Sequence, residues 1–334
     1  MKVLVTGASG FVGSHVTRLL VERGCEVAAL LRGSSSREWL KGLPVELREG
    51  SLSDLSSLER AVVGVDRVVH VAGVVHAPNR EGYFEHNAHG TRRLIEACAS
   101  HNPGLSRFVL ISSLAAGGPC HSGGVRKEQD PDQPVSYYGE SKRAGELEVL
   151  KFKDRIPSVR VRPPLVYGPR DRGVLEIARI ASKGLMPLLP SDPPQAEPKR
   201  YSQIFGEDLA EGIVTATLSE RQLESGAIFY LSSSEIVTEA QIYEAFAEAF
   251  GKKLTRIQVP TWAVKGLARG ADWIGRLAGR SFILNSDKVP ELLAPAWTCS
   301  AERALEQLGF SAKTPFREGI RQTAHWYREQ GWIH

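Results

Sequence analysis

Residues 2–13 read KVLVTGASGFVG: a short β-branched run, then glycines at 7, 10 and 13, then the opening of an apolar-faced helix. Glycine has no Cβ, so the backbone can turn sharply out of a strand and a helix can pack close against the turn. The N–H groups at the helix start lack partners and favour a bound phosphate. Val12, Val16, Leu19 and Leu20 share one face of a helix predicted over Phe11–Arg23, and Gly24 stops it. A second strand, Glu26–Leu31, follows. Glycines alone predict only a turn; the whole strand–turn–helix–strand unit predicts a dinucleotide cradle made of Thr6, Gly7, Gly10, Phe11, Val12 and Gly13.

The alternation continues. Strands are predicted at Val45–Arg48, Arg67–Ala72, Arg107–Ile111 and Val159–Arg162, and helices at Asp54–Val62, Tyr83–Ser100 and Tyr138–Lys153. Such a chain folds as α/β, a Rossmann doubly wound parallel sheet with helices on both faces. Beyond residue 168 the rhythm changes. Pro187, Pro190, Pro193, Pro194 and Pro198 forbid a long helix or a central strand, and leave either a mobile loop over a pocket or a plain surface linker. A helix over Asp208–Leu218, a strand over Ile228–Leu231 and a helix from Thr238 to Phe250 follow. The dinucleotide-binding domain is therefore assigned to 1–168, with 203–220 returning to it. A smaller, mainly C-terminal α/β substrate-binding region takes 169–202 and 221–334.

In Trp262–Ala278, Val264, Leu267, Ala271, Ile274 and Leu277 lie on one side, with Lys265, Arg269, Arg276 and Arg280 elsewhere. A helix packed on its own domain fits this pattern, and so does a basic helix lying on a membrane surface.

Composition excludes other classes. With 334 residues and a net charge of +4, and no run of Lys or Arg, the chain has no nucleic-acid signature. Cys25, Cys98, Cys120 and Cys299 form no C-x-x-C pair, so the expectation is incidental thiols in a reducing compartment and no metal. The first residues read as a strand rather than a signal peptide, and no apolar stretch of about 18 residues spans a bilayer. A cytoplasmic location is expected.

The end of the second strand selects the cofactor. An acidic residue there would bind the ribose 2′-hydroxyl of NAD. Here the chain reads Leu30-Leu31-Arg32-Gly33-Ser34-Ser35-Ser36-Arg37. Arg32 and Arg37 suit a 2′-phosphate, which favours NADP; two solvated arginines would leave NAD.

Tyr138 and Lys142 are four apart on a predicted helix and share a face, with Ser113 standing 25 positions before the tyrosine. A free phenol ionises near pH ~10, and a neighbouring ammonium favours the phenolate. Tyr138 can then exchange a proton with a substrate oxygen, and Ser113 can donate to the same oxygen. Tyr137 is a rival phenol, but position 141 is Ser141.

These motifs resemble those of the extended short-chain dehydrogenase/reductase superfamily over nearly the whole length. T-G-A-S-G-F-V-G is joined by V-D-R-V-V-H-V-A-G (65–73), N-A-H-G-T (87–91), I-S-S (111–113), Y-Y-G-E-S-K (137–142), R-P-P-L-V-Y-G-P (162–169) and E-D-L-A (207–210). The resemblance implies that Tyr138 is the acid/base, that Lys142 holds the nicotinamide ribose and tunes it, that Ser113 orients the substrate and that Asn87 supports the proton relay. It places Leu52, Ala72, Gly73, Pro163, Pro164 and Val166 along the cofactor. It also implies pairing of two copies through the helices 83–100 and 138–153.

The departures bear on substrate. Ser51 stands where the family often has an Asp, and Leu114 and Ala115 where sugar-nucleotide dehydratases carry acids. Leu165 and Tyr201 replace the Asn and Arg of many sugar-nucleotide enzymes. Arg32 is similar to the dihydroflavonol reductase branch. Asp287–Trp297 and W-Y-R-E-Q-G-W (326–332) are similar to the branch of 3β-hydroxysteroid dehydrogenases. The expected activity is NADP(H)-dependent interconversion of a secondary alcohol and a ketone on a mostly apolar small molecule, in a pocket formed by the C-terminal region and the Pro-rich loop. A nucleotide-sugar epimerase with retained NAD, and a non-catalytic cofactor-sensing protein, are the alternatives.

Overall fold

The computed structural model describes residues 1–121, 123–194, 197–278 and 285–333, with the backbone alone for 276–278. Its first half alternates β1 (Lys2–Thr6), α1 (Phe11–Glu22), β2 (Glu26–Leu31), β3 (Val45–Glu49), α2 (Leu55–Val62) and β4 (Arg67–His70). Then come α3 (Arg80–Phe84), α4 (Gly90–His101), β5 (Arg107–Ile111), α5 (Leu114–Gly117), α6 (Tyr137–Leu150) and β6 (Ser158–Val161). The second half runs through β7 (Leu165–Tyr167), α7 (Leu175–Ser182), β8 (Leu185–Leu188), β9 (Arg200–Phe205), α8 (Gly206–Leu218) and β10 (Ala227–Phe229). It ends with β11 (Ile236–Thr238), α9 (Glu239–Phe250), β12 (Thr255–Gln258), α10 (Thr261–Ala278), α11 (Val289–Leu293), β13 (Ala296–Trp297) and α12 (Phe316–Glu329).

Seven strands pair in the order β3-β2-β1-β4-β5-β6-β10, all parallel. Strand order reverses between β1 and β4, and the carboxyl ends of these two strands open a crevice. Both sheet faces are covered. Val3, Val5 and Val69 pack on one side with α1 and α8, and Leu4, Val68 and Leu110 on the other with α2 and α4. Strands buried on both faces explain the continuous apolar runs.

Several boundaries differ from expectation. Ala227–Phe229, assigned to the substrate-binding region by the boundary at 221, is the seventh strand of the main sheet. β4 stops at His70 because Val71 and Ala72 leave the sheet to meet the glycine turn. The helix expected over 83–100 begins at Arg80, where Asn79 caps it, and Glu85–His89 forms a π turn before α4. The caps Asp54 and Thr238 stand where expected, Thr238 in a full capping box with Gln241.

The second half makes two smaller sheets. β7, β9, β11 and β13 form one, and β8 and β12 the other. Pro187 lies in β8, which has β12 as its sole partner strand among the described residues, so the proline is on an edge. Trp326, Tyr327 and Trp332 pack on one another and reach Trp39. The aromatic residues of W-Y-R-E-Q-G-W thus form a packing cluster. α10 spans 261–278, and Arg280 lies outside the described residues. Among the described residues no helix is long and apolar enough to cross a membrane, and no cluster of side chains could hold a metal ion.

Candidate active site

The cradle forms where β1 ends. Gly7 has φ 70°, and a Cβ there would fall 2.7 Å from the Ala72 nitrogen. A Cβ at Gly13 would fall 2.0 Å from the Gly7 carbonyl oxygen. Backbone approach alone demands these two glycines. Gly10 is different: it is exposed, and a Cβ would meet only the Gly7 oxygen, at 3.3 Å. It is the N-cap of α1, and no side chain caps that helix. Phe11, Val12 and Gly13, the uncapped first turn, line a cavity of about 460 Å³ with Thr6, Gly7 and Gly10. Open space against unpaired helix N–H groups fits a dinucleotide pyrophosphate.

Leu52, Ala72, Gly73 and Arg32 line the same cavity. Arg37 does not. The Ser35 N–H donates to the Arg32 carbonyl (2.9 Å), and this turn carries the chain past the cavity to Arg37, which caps a short 3₁₀ turn. No described carboxylate forms an ion pair with Arg32. Ser35, from the serine run after Arg32, and Ser51 line the cavity too, and so do Ser9 and His86, which were not anticipated. Tyr138, Lys142, Pro163, Pro164 and Val166 stand outside this cavity. The Pro163 carbonyl accepts from the Leu114 N–H (2.9 Å), which sets that segment beside Ser113, and Val166 lies in β7.

Ser136 caps α6 by accepting from the Gly139 N–H (3.1 Å), which starts the helix at Tyr137. Gly139 and Gly145 let α6 sit against its neighbours: a Cβ at either would fall 2.4 Å from the carbonyl oxygen of Ala115 or Asn87. Tyr138 is thereby held next to Ser113, whose side chain hydrogen-bonds it and also accepts from the Ala115 N–H (3.1 Å). Burial pushes the Tyr138 phenol up to about 12; the Ser113 hydrogen bond works against this, and Glu291 and Tyr83 add to it. Burial pulls the Lys142 ammonium down to about 8, opposed by Glu146. Its Nζ donates to the Ile111 carbonyl (2.6 Å) and would lie 3.5 Å from a Cβ at Gly73, so it stands between the cradle wall and the tyrosine helix.

Asn87 ties these parts together. Its Oδ1 accepts from the Val74 N–H (2.8 Å), and its Nδ2 donates to the Val74 carbonyl (2.9 Å) and to Ser141 Oγ (3.0 Å). Its carbonyl accepts from the Thr91 hydroxyl (2.7 Å), so Thr91 must accept from His70 Nε2–H (3.0 Å). His70 Nδ1 then accepts from the Thr6 hydroxyl (2.7 Å), which itself accepts from the Ala72 N–H (3.2 Å). This chain joins the cradle to the π turn and needs a neutral imidazole. Burial, with Lys142 nearby, lowers His70 to about 3. Sequence reasoning passed over His70, although a histidine inside an apolar strand was the signal.

Two further groups were missed. Arg162, fully buried, makes paired hydrogen bonds to Glu146 (2.8 and 2.6 Å) and to Asp132 (2.7 and 3.0 Å), locking α6 to β6. The segment before and within α11 reaches the start of α6. Asp287 accepts from the Tyr137 N–H (2.7 Å), Ser136 donates to Glu291, and Lys288 pairs with Glu291 (2.8 Å) with its Nζ 4.3 Å from the centre of the Tyr138 ring. The arrangement provides a phenol, a hydroxyl donor and an ammonium beside a phosphate-binding cradle, which suits proton exchange with a substrate oxygen.

A family model described as the NAD dependent epimerase/dehydratase family matches residues 3–232. Ceramide reductase of Caulobacter vibrioides is 29% identical, over 99% of this chain and 96% of its own. 2-Alkyl-3-oxoalkanoate reductase of Stenotrophomonas maltophilia is 27% identical, over 96% of this chain and 98% of its own. Among solved structures, the UDP-glucose 4-epimerase of Thermus thermophilus in complex with NAD aligns with a TM-score of 0.77 and 27% identity, over 98% of this chain and 99% of that one.

Proposed function

The chain belongs to the NAD dependent epimerase/dehydratase family and is an NAD(P)-dependent enzyme of the extended short-chain dehydrogenase/reductase type; on that premise we propose that it reduces a ketone to a secondary alcohol, or the reverse, on a mostly apolar small molecule with NADP(H). The observation that carries this reading is the hydrogen-bonded Ser113–Tyr138 pair, with Lys142 one helical turn on and reaching the cradle wall.

When bound, the nicotinamide supplies the hydride donor or acceptor. Tyr138 gives its proton to the carbonyl oxygen as the alcohol forms, and takes it back in the reverse direction. Ser113 donates to the same oxygen and lowers the cost of its developing negative charge. Lys142, held on the Ile111 carbonyl, keeps a positive charge on the cofactor side of the tyrosine. Asn87 and His70 hold the turn, the strand end and the catalytic helix in register. Arg32 lines the cavity, and the stretch Leu30–Arg37 contains no acidic residue, which supports NADP.

The apolar substrate class rests on the two similar reductases, whose names specify a ceramide and an alkyl-oxoalkanoate, and on Leu114, Ala115, Leu165 and Tyr201. Pairing of two copies through α4 and α6, and a cytoplasmic location, are part of the proposal. One observation favours a second reading, epimerisation with retained NAD: the aligned epimerase structure holds NAD.

Purified protein examined by mass spectrometry and titrated with NADPH and NADH separates the two. Exchangeable, NADPH-selective binding with consumption of NADPH on long-chain ketones is the expected result. Tightly retained NAD, with turnover and no net cofactor consumption, would replace the reductase reading with the epimerase.

A further inference from the structure

α10 is apolar on two faces. Inward, Val264 and Ala268 pack with Val289 and Leu293 of α11. Away from α11, Trp262 and Trp273 are 77% and 67% exposed, and Leu267 and Ile274, about a third of a turn around the helix, are 61% and 50% exposed. Trp262, Gly266, Gly270 and Trp273 follow one another at helical spacing, so the indoles stand about 16 Å apart on one stripe. A Cβ at either glycine would meet nothing within 4 Å. Scattered apolar side chains are ordinary on a protein surface; two tryptophans, a leucine and an isoleucine on one helix are not.

The charge along this stretch of chain is one-sided. From Lys252 to Ile274 the chain carries Lys252, Lys253, Arg256, Lys265 and Arg269 against Asp272 alone, a net of +4 that equals the net charge of the entire chain. Lys265 pairs with Asp192 (2.6 Å), whereas Lys252, Lys253, Arg256 and Arg269 have no carboxylate partner among the described residues. A second copy of the chain fits poorly here. The four side chains offer on the order of 500 Å², short of the roughly 800 Å² per partner of a stable interface. A two-fold pairing would also bring like charges together. A bilayer with anionic headgroups suits both features, because indoles settle at headgroup level and each cation near the surface adds about 1 kcal/mol.

We propose that α10 docks the protein on an anionic lipid surface through Trp262 and Trp273, so that an apolar substrate enters from the bilayer. α11, against which α10 packs, brings Lys288 and Glu291 to Tyr138 and Ser136, so about one helix diameter, roughly 10 Å, separates the lipid-facing surface from the wall of the catalytic mouth. Docking stands on residues 252–274 alone; substrate entry from the bilayer rests on the reductase reading.

The test is flotation of the full-length protein with phosphatidylcholine vesicles, and with vesicles in which roughly a third of the lipid is phosphatidylglycerol. Salt-sensitive binding to the second kind is expected. It should weaken at least about tenfold in the Trp262→Ser/Trp273→Ser variant and in the Lys253→Glu/Arg269→Glu variant, with melting temperature and NADPH affinity unchanged. Absence of binding by the wild type, or equal binding by both variants, would overturn the proposal. So would a dimer that the tryptophan variant dissolves. NADPH oxidation on a water-soluble ketone is read separately: reduction without vesicle binding rejects docking alone, and binding without reduction rejects the activity alone.

Discussion

The ammonium of Lys288 stands 4.3 Å from the centre of the Tyr138 ring and is paired with Glu291, whose charge raises the phenol. The pair gives two substitutions with opposite signs. Lys288→Met leaves Glu291 unopposed and should raise the apparent pKa of the tyrosine limb in the pH profile of alcohol oxidation by about one unit. Glu291→Gln should lower it. General damage to the mouth would depress both profiles without moving the limbs apart.

Tyr138→Phe should lower kcat by about 10²–10⁴-fold, the usual contribution of a positioned proton donor. The phenol lies outside the cradle cavity, so the NADPH dissociation constant read by nicotinamide fluorescence should change little. A variant with unimpaired turnover would remove Tyr138 from the chemistry.

Arg32→Ala should weaken NADPH binding by about tenfold or more and leave NADH binding nearly unchanged, because a charge-assisted pair with a 2′-phosphate is lost only for NADPH. Arg37→Ala, outside the cavity, should do neither. An equal loss for both cofactors would mean that Arg32 shapes the loop rather than reads the phosphate.

What the sequence made legible follows chain distance. The sheet, the caps at Asp54 and Thr238 and the cradle are local patterns, written in periods of two and 3.6 and in the placing of glycines. Tyr138 and Lys142 share α6, but the expected tuning of the phenol by the ammonium is not seen: Lys142 Nζ goes to the Ile111 carbonyl, and burial raises Tyr138. Lys288 and Glu291 reach Tyr138 and Ser136 from more than a hundred residues away, and no local period encodes such a contact. Arg162 was quoted as part of a motif, but its partners Glu146 and Asp132 come from other elements. The terminal tryptophans show the same limit: no local pattern announces that Trp326 joins α12 to the turn at Trp39.

Glu146 links stability to catalysis. It is buried, bonded twice to Arg162, and holds the Lys142 pKa up against burial. Glu146→Gln should cost about 3 kcal/mol by breaking the buried pair, with Asp132 still on Arg162. It should also drop Lys142 below its value of about 8, so that activity needing the ammonium fades at a lower pH than in the wild type. Chemical denaturation and the alkaline limb of the rate profile read the two effects independently.

Two buried histidines contribute to the acid sensitivity of the fold. Burial lowers His15 to about 4 and His70 to about 3, while an unfolded histidine protonates near pH ~6.5. Below that pH the unfolded chain binds protons that the folded chain refuses, so stability falls as pH falls, by about 1.4 kcal/mol per unit for each residue. The loss continues through about pH 4 for His15. Burial raises Asp171, which acts in the opposite direction in acid, so the informative quantity is a difference between proteins. His15 donates through Nε2 to the Pro169 carbonyl (3.1 Å), a bond that glutamine can also make. His15→Gln should therefore flatten the dependence of unfolding free energy on pH between about 6 and 5 by one proton equivalent. Parallel curves for wild type and variant would mean that His15 is protonated in the folded protein, and that its contact with Glu207 at 3.6 Å is an ion pair.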